Sequence, residues 1–115
     1  MSLKIYHNPR CSKSRQTLAL LKDNGYTPHI ITYLDGVLSA EDIQDLLSML
    51  DMSSARDLMR TGESIYKELG LKMVEDETKL ISAMVENPKL IERPIVVRNG
   101  KASIGRPPES VLALF

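Results

Sequence analysis

The chain has little of several features that define common protein classes. It carries one cysteine and two histidines among its 115 residues. One cysteine excludes an internal disulfide, and three such side chains are too few for a structural zinc site, which usually takes about four ligands. Fifteen basic and fifteen acidic residues give no net charge, so the chain offers no overall field for nucleic acid or an anionic membrane. An anion must therefore be bound by a local group of charges.

Long apolar runs are also missing. No segment approaches the roughly 18 apolar residues of a membrane-spanning helix, and the N-terminus lacks the charged-then-apolar pattern of a signal peptide. A chain of 115 residues can still fold as one domain without disulfides or metal. Together with an unpaired thiol, these observations predict a reducing, cytoplasmic location.

The pattern at the start of the chain predicts a parallel crossover unit. A strand over 3–7 is followed by a helix over about 12–24, which Gly25 ends. Branched and aromatic residues over 28–34 then predict a second strand. Strand, helix and strand in this order are typical of a βαβ unit in an α/β protein.

The rest of the chain predicts helices and then a hairpin. The segment from about 39 to 87 is helical, and Ser39 with Asp42 resembles a capping box at its start. Asn99–Gly100 fits the positive φ angles of a type I′ turn between two strands, before a final helix. The predicted order is βα, β, helices, ββα, with the helical segment inserted into a single domain, 1–115.

Cys11 is predicted to be a nucleophile because it lies where the first strand turns into the first helix. Backbone N–H groups at a helix start, together with the charges of Arg10, Lys13 and Arg15, would favour the thiolate and lower its pKa. An isolated cysteine is more often a buried core residue. Pro-Arg before it and Ser-Lys-Ser-Arg after it are not the neighbours of a core position, however.

Residues near Cys11 limit the reactions in which it could take part. His7 could donate to the thiolate or stabilise it electrostatically, although a histidine at a strand end is as often structural. Ser14 could bond the thiolate or a bound oxyanion, or simply cap the helix. It also stands where a C-x-x-C motif would have its second cysteine, so an outside thiol must resolve Cys11. Thr17 stands where a phosphatase-type loop would have arginine, which argues against a low-molecular-weight phosphatase.

Three arginines elsewhere are candidates for binding an oxyanion. Arg60 is predicted at the end of a short helix, Arg93 precedes Pro94 at the hairpin entry, and Arg106 precedes the last helix. The fixed fork of a guanidinium suits a tetrahedral anion of multiple charge. Each arginine taken alone is more often a solvated surface charge.

These segments together resemble the glutaredoxin-coupled arsenate reductase family, and within it the short arsenate-reductase-related forms. The resemblance rests on His7–Arg15, Leu58–Arg60, Glu92–Val97 and Gly105–Pro107. It covers nearly the whole chain. It implies an α/β thioredoxin-like fold with a mixed four-stranded sheet, and a cis peptide before Pro94 that faces the Cys11 loop.

The resemblance also implies a mechanism. The substrate-binding residues would be Arg60, Arg93, Arg106 and Ser14. Cys11, with its pKa lowered partly by His7, would attack arsenate and form a covalent adduct. Glutathione and glutaredoxin would then supply the reducing equivalents that release arsenite, with no metal or bound cofactor.

Two other functions remain open at this point. A monothiol oxidoreductase acting on glutathione mixed disulfides would use Cys11, but it gives no reason for three oxyanion-binding arginines. A regulator that binds RNA polymerase and senses oxidation shares the fold. Its sensing members carry a C-x-x-C switch, and Ser14 argues against that switch here.

Overall fold

A computed structural model describes residues 3–115, and the chain divides into two compact units. The first unit runs to Asp35 and resumes at Arg93, and the second comprises Gly36–Glu92. The segment predicted as a helical insertion, about 39–87, lies inside the second unit. That the two units form a single domain stays a prediction.

The first unit is built on a mixed four-stranded sheet with the strand order β2-β1-β3-β4. The strands are β1 (Leu3–Tyr6), β2 (His29–Ile31), β3 (Ile95–Arg98) and β4 (Lys101–Ile104). β1 runs parallel to β2 and antiparallel to β3, and β3 and β4 are antiparallel. The predicted βαβ unit followed by a hairpin is confirmed. Asn99 and Gly100 at the hairpin turn have φ angles of 50° and 82°, as a type I′ turn requires.

Helix α1 (Ser12–Asp23) and a 3₁₀ helix at Pro108–Leu114 pack on the sheet. Ile5 of β1 pairs with Val96 of β3, so both side chains point to the same face. Leu21 of α1 and Val111 of the 3₁₀ helix complete a core in which all four side chains are fully buried. Each such side chain contributes about 2 kcal/mol through removal of apolar surface from water. The predicted last helix is thus present, but in 3₁₀ form.

The second strand is shorter than the predicted 28–34. It ends at Ile31 because the chain closes a turn immediately afterwards. The Thr32 hydroxyl donates to Oδ2 of Asp35 at 2.8 Å, and the Asp35 N–H donates to the Thr32 carbonyl at 3.1 Å. Tyr33–Asp35 therefore form a 3₁₀ helix rather than the end of a strand.

The second unit is helical, as predicted. Its α-helices are α2 (Ala40–Met49), α3 (Ser64–Glu68) and α4 (Glu77–Glu86). α2 packs against α4, and the unit buries apolar side chains from both helices and from the turns around them. The capping box is confirmed: the Asp42 N–H donates to the Ser39 hydroxyl, and the Ser39 N–H donates to the Asp42 carboxylate.

Two kinds of feature are absent from residues 3–115. No helix in this range has both the length and the apolar character needed to cross a bilayer. No group of three or more histidine, cysteine or acidic side chains in the same range could hold a metal ion.

Gly105, directly after β4, lies too close to its neighbours to accept a side chain. A Cβ atom there would stand 2.4 Å from Oγ1 of Thr17 and 2.9 Å from Cγ of Pro94. Since these contacts are strongly repulsive, α1 or the entry of β3 would have to move. We expect Gly105→Ala to lower the free energy of unfolding by about 2 kcal/mol. In thermal unfolding, Tm should fall by roughly 8 °C.

Gly62 offers a matched control, because a Cβ atom there meets nothing within 4 Å. Gly62→Ala should unfold like the wild type. Thr17→Ala in the Gly105→Ala background removes the closest contact and should recover part of the lost stability. Equal stabilities of the two alanine variants would contradict the steric explanation.

Candidate active site around Cys11

The loop between β1 and α1 turns sharply around Asn8. The Asn8 side-chain oxygen accepts the N–H of Arg10 at 3.0 Å, and the Asn8 carbonyl accepts the N–H of Cys11 at 3.0 Å. The Asn8 N–H in turn donates to the Ser14 hydroxyl at 3.0 Å. These hydrogen bonds satisfy polar groups of Asn8, a residue that is only 7% exposed. They also hold Cys11 in place as the N-cap of α1. Asn-Pro after a strand is a typical turn signal, but the hydrogen bonds of the Asn8 side chain in this turn were not predicted.

The sulfur of Cys11 lies in a group of hydrogen-bond donors. Burial, the largest effect, raises the pKa of Cys11. The N–H of Ser14, the side chain and charge of Arg93 and the N–H of Lys13 together outweigh burial, so the pKa lies below its ordinary value. Nη2 of Arg106 approaches the sulfur at 3.6 Å. The partly exposed thiol is thus placed where donors stabilise negative charge.

Arg93 and Arg106 approach the Cys11 sulfur from the open end of the β3–β4 hairpin, Arg93 before β3 and Arg106 after β4. Nε of Arg106 donates to the Arg93 carbonyl at 2.7 Å. The N–H of Gly105 donates to the Pro94 carbonyl at 2.9 Å, which joins the exit of β4 to the entry of β3. The Arg93–Pro94 peptide is cis, as predicted, and the Arg106–Pro107 peptide, for which no prediction was made, is cis as well.

The source of the charge at Cys11 differs from the prediction. Arg10, Lys13 and Arg15 are exposed, and Arg15 donates instead to the Pro9 carbonyl at 2.9 Å. Lys13 lowers the pKa of Cys11 through its backbone N–H, and the charge that lowers it belongs to Arg93. These sequence neighbours are exposed in the loop and at the start of α1, whereas Arg93 comes from the segment just before β3.

His7 contacts Ser14 rather than adding charge at the thiolate. Nδ1 of His7 lies 2.6 Å from the hydroxyl of Ser14, which is fully buried. Because that hydroxyl also accepts the Asn8 N–H, we assign its proton to the bond with Nδ1, and this assignment places the ring proton on Nε2. Burial first, then the charges of Lys22 and Arg15, lower the pKa of His7. A neutral ring at neutral pH does not provide the electrostatic stabilisation that the sequence suggested.

Ser14 contributes to the site through its backbone. Its hydroxyl contacts His7 and Asn8, and its N–H is one of the donors that lower the pKa of Cys11. The hydroxyl is thus not exposed to a bound oxyanion. The substrate-binding role assigned to Ser14 stays a prediction that now concerns its N–H.

Arg60 lies in the second unit. It does not end a helix as predicted, because the 3₁₀ helix there stops at Leu58 and Met59 then bridges Ile91. Nε of Arg60 pairs with Glu63 at 3.1 Å, and Nη1 pairs with Glu92 at 3.0 Å. The substrate-binding role of Arg60 stays a prediction that rests on the resemblance.

Alkylation by iodoacetamide at varied pH tests the thiolate directly. We expect the rate for the wild type to rise with a midpoint below the ordinary pKa of cysteine, because only the thiolate reacts. Arg93→Gln should raise the midpoint, since it removes both a hydrogen bond and a charge. Lys13→Gln keeps the backbone N–H and should leave the midpoint unchanged. A wild-type midpoint at the ordinary value would contradict the activation of Cys11.

Comparisons with known proteins agree with this geometry. The ArsC family model matches residues 6–114. The chain is 60% identical over 113 residues to the Escherichia coli (strain K12) protein called uncharacterized protein YfgD, covering 97% of this chain and 95% of that protein. It is 46% identical to an arsenate reductase of Haemophilus influenzae, with both chains covered in full.

A solved structure confirms the predicted thioredoxin-like α/β fold. The structure titled arsenate reductase from Vibrio cholerae superposes with a TM-score of 0.97 at 51% sequence identity, covering 100% of this chain and 98% of that one. The fold, the sequence identity and the family model therefore lead to the same conclusion. The chain belongs to the ArsC family.

Proposed function

We propose that the protein is an arsenate reductase that forms a covalent adduct through Cys11 and uses glutathione and glutaredoxin as reductant. One observation carries the proposal: the nucleophilic sulfur lies among the same donors that would hold an oxyanion. Backbone N–H groups, Arg93 and Arg106 all converge on it. The names of the relatives support arsenate as the anion.

In the first step, the Cys11 thiolate attacks arsenic. A sulfur–arsenic bond forms, one arsenic–oxygen bond breaks, and the departing oxygen leaves as water after it takes up protons. Arsenic stays pentavalent. Arg93 and Arg106 bind the remaining oxygens, where their charge stabilises the crowded intermediate. Arg60 is proposed as a further arsenate ligand on the resemblance alone.

The reducing electrons come from outside the chain because Cys11 is its only cysteine. A glutathione thiolate displaces a second oxygen as water and forms another arsenic–sulfur bond. A glutaredoxin thiolate then attacks the glutathione sulfur. The arsenic–sulfur bond breaks with its electron pair left on arsenic, which becomes trivalent, and a mixed disulfide forms. Hydrolysis releases arsenite and regenerates Cys11. This chemistry belongs in a reducing compartment, which is the cytoplasm in our proposal.

A coupled assay tests the proposal. It contains arsenate, glutathione, glutaredoxin, glutathione reductase and NADPH, and it follows NADPH oxidation. We expect a rate that falls to background when arsenate, glutathione or glutaredoxin is omitted. No rate from a folded protein with an alkylatable thiol would contradict arsenate reduction. A rate supported by thioredoxin in place of glutathione and glutaredoxin would contradict the proposed reductant but not arsenate reduction.

The same assay separates arsenate reduction from monothiol redox chemistry. A glutathione mixed disulfide replaces arsenate as the substrate, and an arsenate reductase should turn it over slowly. Comparable disulfide rates for the wild type and an Arg93→Ala, Arg106→Ala double variant, without arsenate turnover, would indicate the monothiol function. The arginines have no role in attack on a neutral disulfide, whereas they bind the oxygens of arsenate.

A further inference from the structure

A cavity lies beside the Cys11 loop, and neither Arg93 nor Arg106 is among its lining residues. It has a volume of about 370 Å³, and its walls come from loop residues 7–10 and from Thr32, Leu34 and Asp35. We call it the β1–β2 cavity, because it opens at the carboxyl ends of these two parallel strands. Carboxyl ends of parallel strands are common ligand sites, and the volume lies in the range of small-molecule pockets.

His7 provides a buried polar group that faces this cavity. The side chain is 7% exposed, and its Nδ1 is engaged by Ser14. Within residues 3–115, the side-chain hydrogen bond given for His7 is the one at Nδ1. With the ring proton assigned to Nε2, His7 offers an N–H donor to a molecule in the cavity. A carbonyl or carboxylate oxygen is the group that it would bind.

The rim of the cavity carries one charge of each sign. The carboxylate of Asp35 is oriented by the Thr32 hydroxyl, which donates to Oδ2 at 2.8 Å. Arg10 is an exposed cation that lines the cavity from the loop between β1 and α1. Leu34 adds an apolar side chain that is 37% exposed. Asp35 can accept from an ammonium group, Arg10 can donate to a carboxylate, and His7 can donate to a neutral oxygen. Together these groups match a zwitterionic peptide.

We propose that the β1–β2 cavity binds the thiol co-substrate, a small zwitterionic peptide of the glutathione type; this inference rests on the proposed function. Its ammonium group pairs with Asp35, a carboxylate pairs with Arg10, and a carbonyl oxygen accepts the Nε2 proton of His7. Arg10 is the residue before Cys11 in the same loop, and in this proposal the thiol of the bound peptide extends from the cavity toward the sulfur that carries arsenic. Its thiolate then attacks arsenic and displaces an oxygen as water, as described above.

Binding is tested with S-methylglutathione, whose sulfur cannot react. Titration into ¹⁵N-labelled wild-type protein should shift the backbone amide resonances of Asn8, Arg10, Thr32 and Asp35. The shifts should saturate, and Asp35→Asn should weaken the affinity about fivefold through loss of one charge pair. Absence of saturable shifts, or shifts confined to residues around Arg93 and Arg106, would overturn the assignment.

Turnover provides a second test with matched controls. Asp35→Asn and Arg10→Gln should each raise KM for glutathione about fivefold and leave KM for arsenate unchanged. Asp23→Asn and Lys101→Gln remove exposed charges outside the cavity and should change neither constant. An equal rise in both KM values, or an unchanged KM for glutathione, would contradict the site.

The two proposals fail in different ways. Saturable binding of S-methylglutathione in the cavity, with no arsenate turnover by the wild type, would overturn the proposed function and retain the peptide site. Arsenate turnover that saturates with glutathione, while S-methylglutathione leaves the cavity resonances unshifted, would overturn the peptide site and retain the function.

Discussion

Cys11→Ser is expected to abolish arsenate-dependent NADPH oxidation. A serine hydroxyl keeps the size of the side chain, but it stays protonated at neutral pH and forms no arsenic–sulfur bond. The donors that lower the pKa of the thiol cannot lower that of a hydroxyl enough to replace it. Measured in the coupled assay, the rate should fall to background at every arsenate concentration.

The fold should survive this change. Cys11 contributes backbone bonds to the loop and to α1: its N–H donates to Asn8 and its carbonyl accepts the N–H of Arg15, each at 3.0 Å. Serine makes both and is a favoured N-cap residue. Thermal unfolding of Cys11→Ser should therefore match the wild type. Residual arsenate turnover in a folded variant would show that Cys11 is not the nucleophile.

Arg106→Ala is expected to lower kcat/KM for arsenate about a hundredfold, the size of effect typical for loss of one oxyanion donor. Arg106 provides the Nη2 contact to the Cys11 sulfur and the Nε bond to the Arg93 carbonyl. The variant loses a charge at the anion site and a bond that orients its neighbour. Initial rates over a range of arsenate concentrations measure the change.

Two further variants separate charge from geometry at Arg106. Arg106→Lys keeps the charge without the planar fork, so its kcat/KM should lie between those of the wild type and the alanine variant. Lys101→Ala removes an exposed cation from the same hairpin and should behave like the wild type. A wild-type kcat/KM for Arg106→Ala would exclude this arginine from the oxyanion site.

Local sequence signals predicted the elements that local interactions determine. The hairpin followed from Asn99–Gly100, and the start of α2 from Ser39 and Asp42, because each of these signals acts within a few residues. The second strand was placed too long. Branched residues over 28–34 favour a strand, but the Thr32 side chain hydrogen-bonds Asp35 and closes a turn. Strand propensity takes no account of such a side-chain hydrogen bond.

The sequence predicted several residues of the site but not all their contacts. Cys11 and the two hairpin arginines were candidates by residue type, the family resemblance assigned them to one site, and the structure brings these three together. The orientation of Ser14 could not be predicted, because it depends on His7 and Asn8 folding back over the helix start. The charge at the thiolate was assigned to sequence neighbours, whereas strand pairing supplies it from Arg93.

The hairpin connects anion binding to cooperative local stability. Arg93 precedes β3 and Arg106 follows β4, and the bond between them closes the open end of the hairpin. A fluctuation that frays this end would separate both guanidinium groups from Cys11 at once, so the two arginines join or leave the anion site together, while the N–H donors of α1 stay in place. An oxyanion that bridges the two arginines would in turn shift the population toward the closed hairpin, and the substrate itself would help to order its binding site.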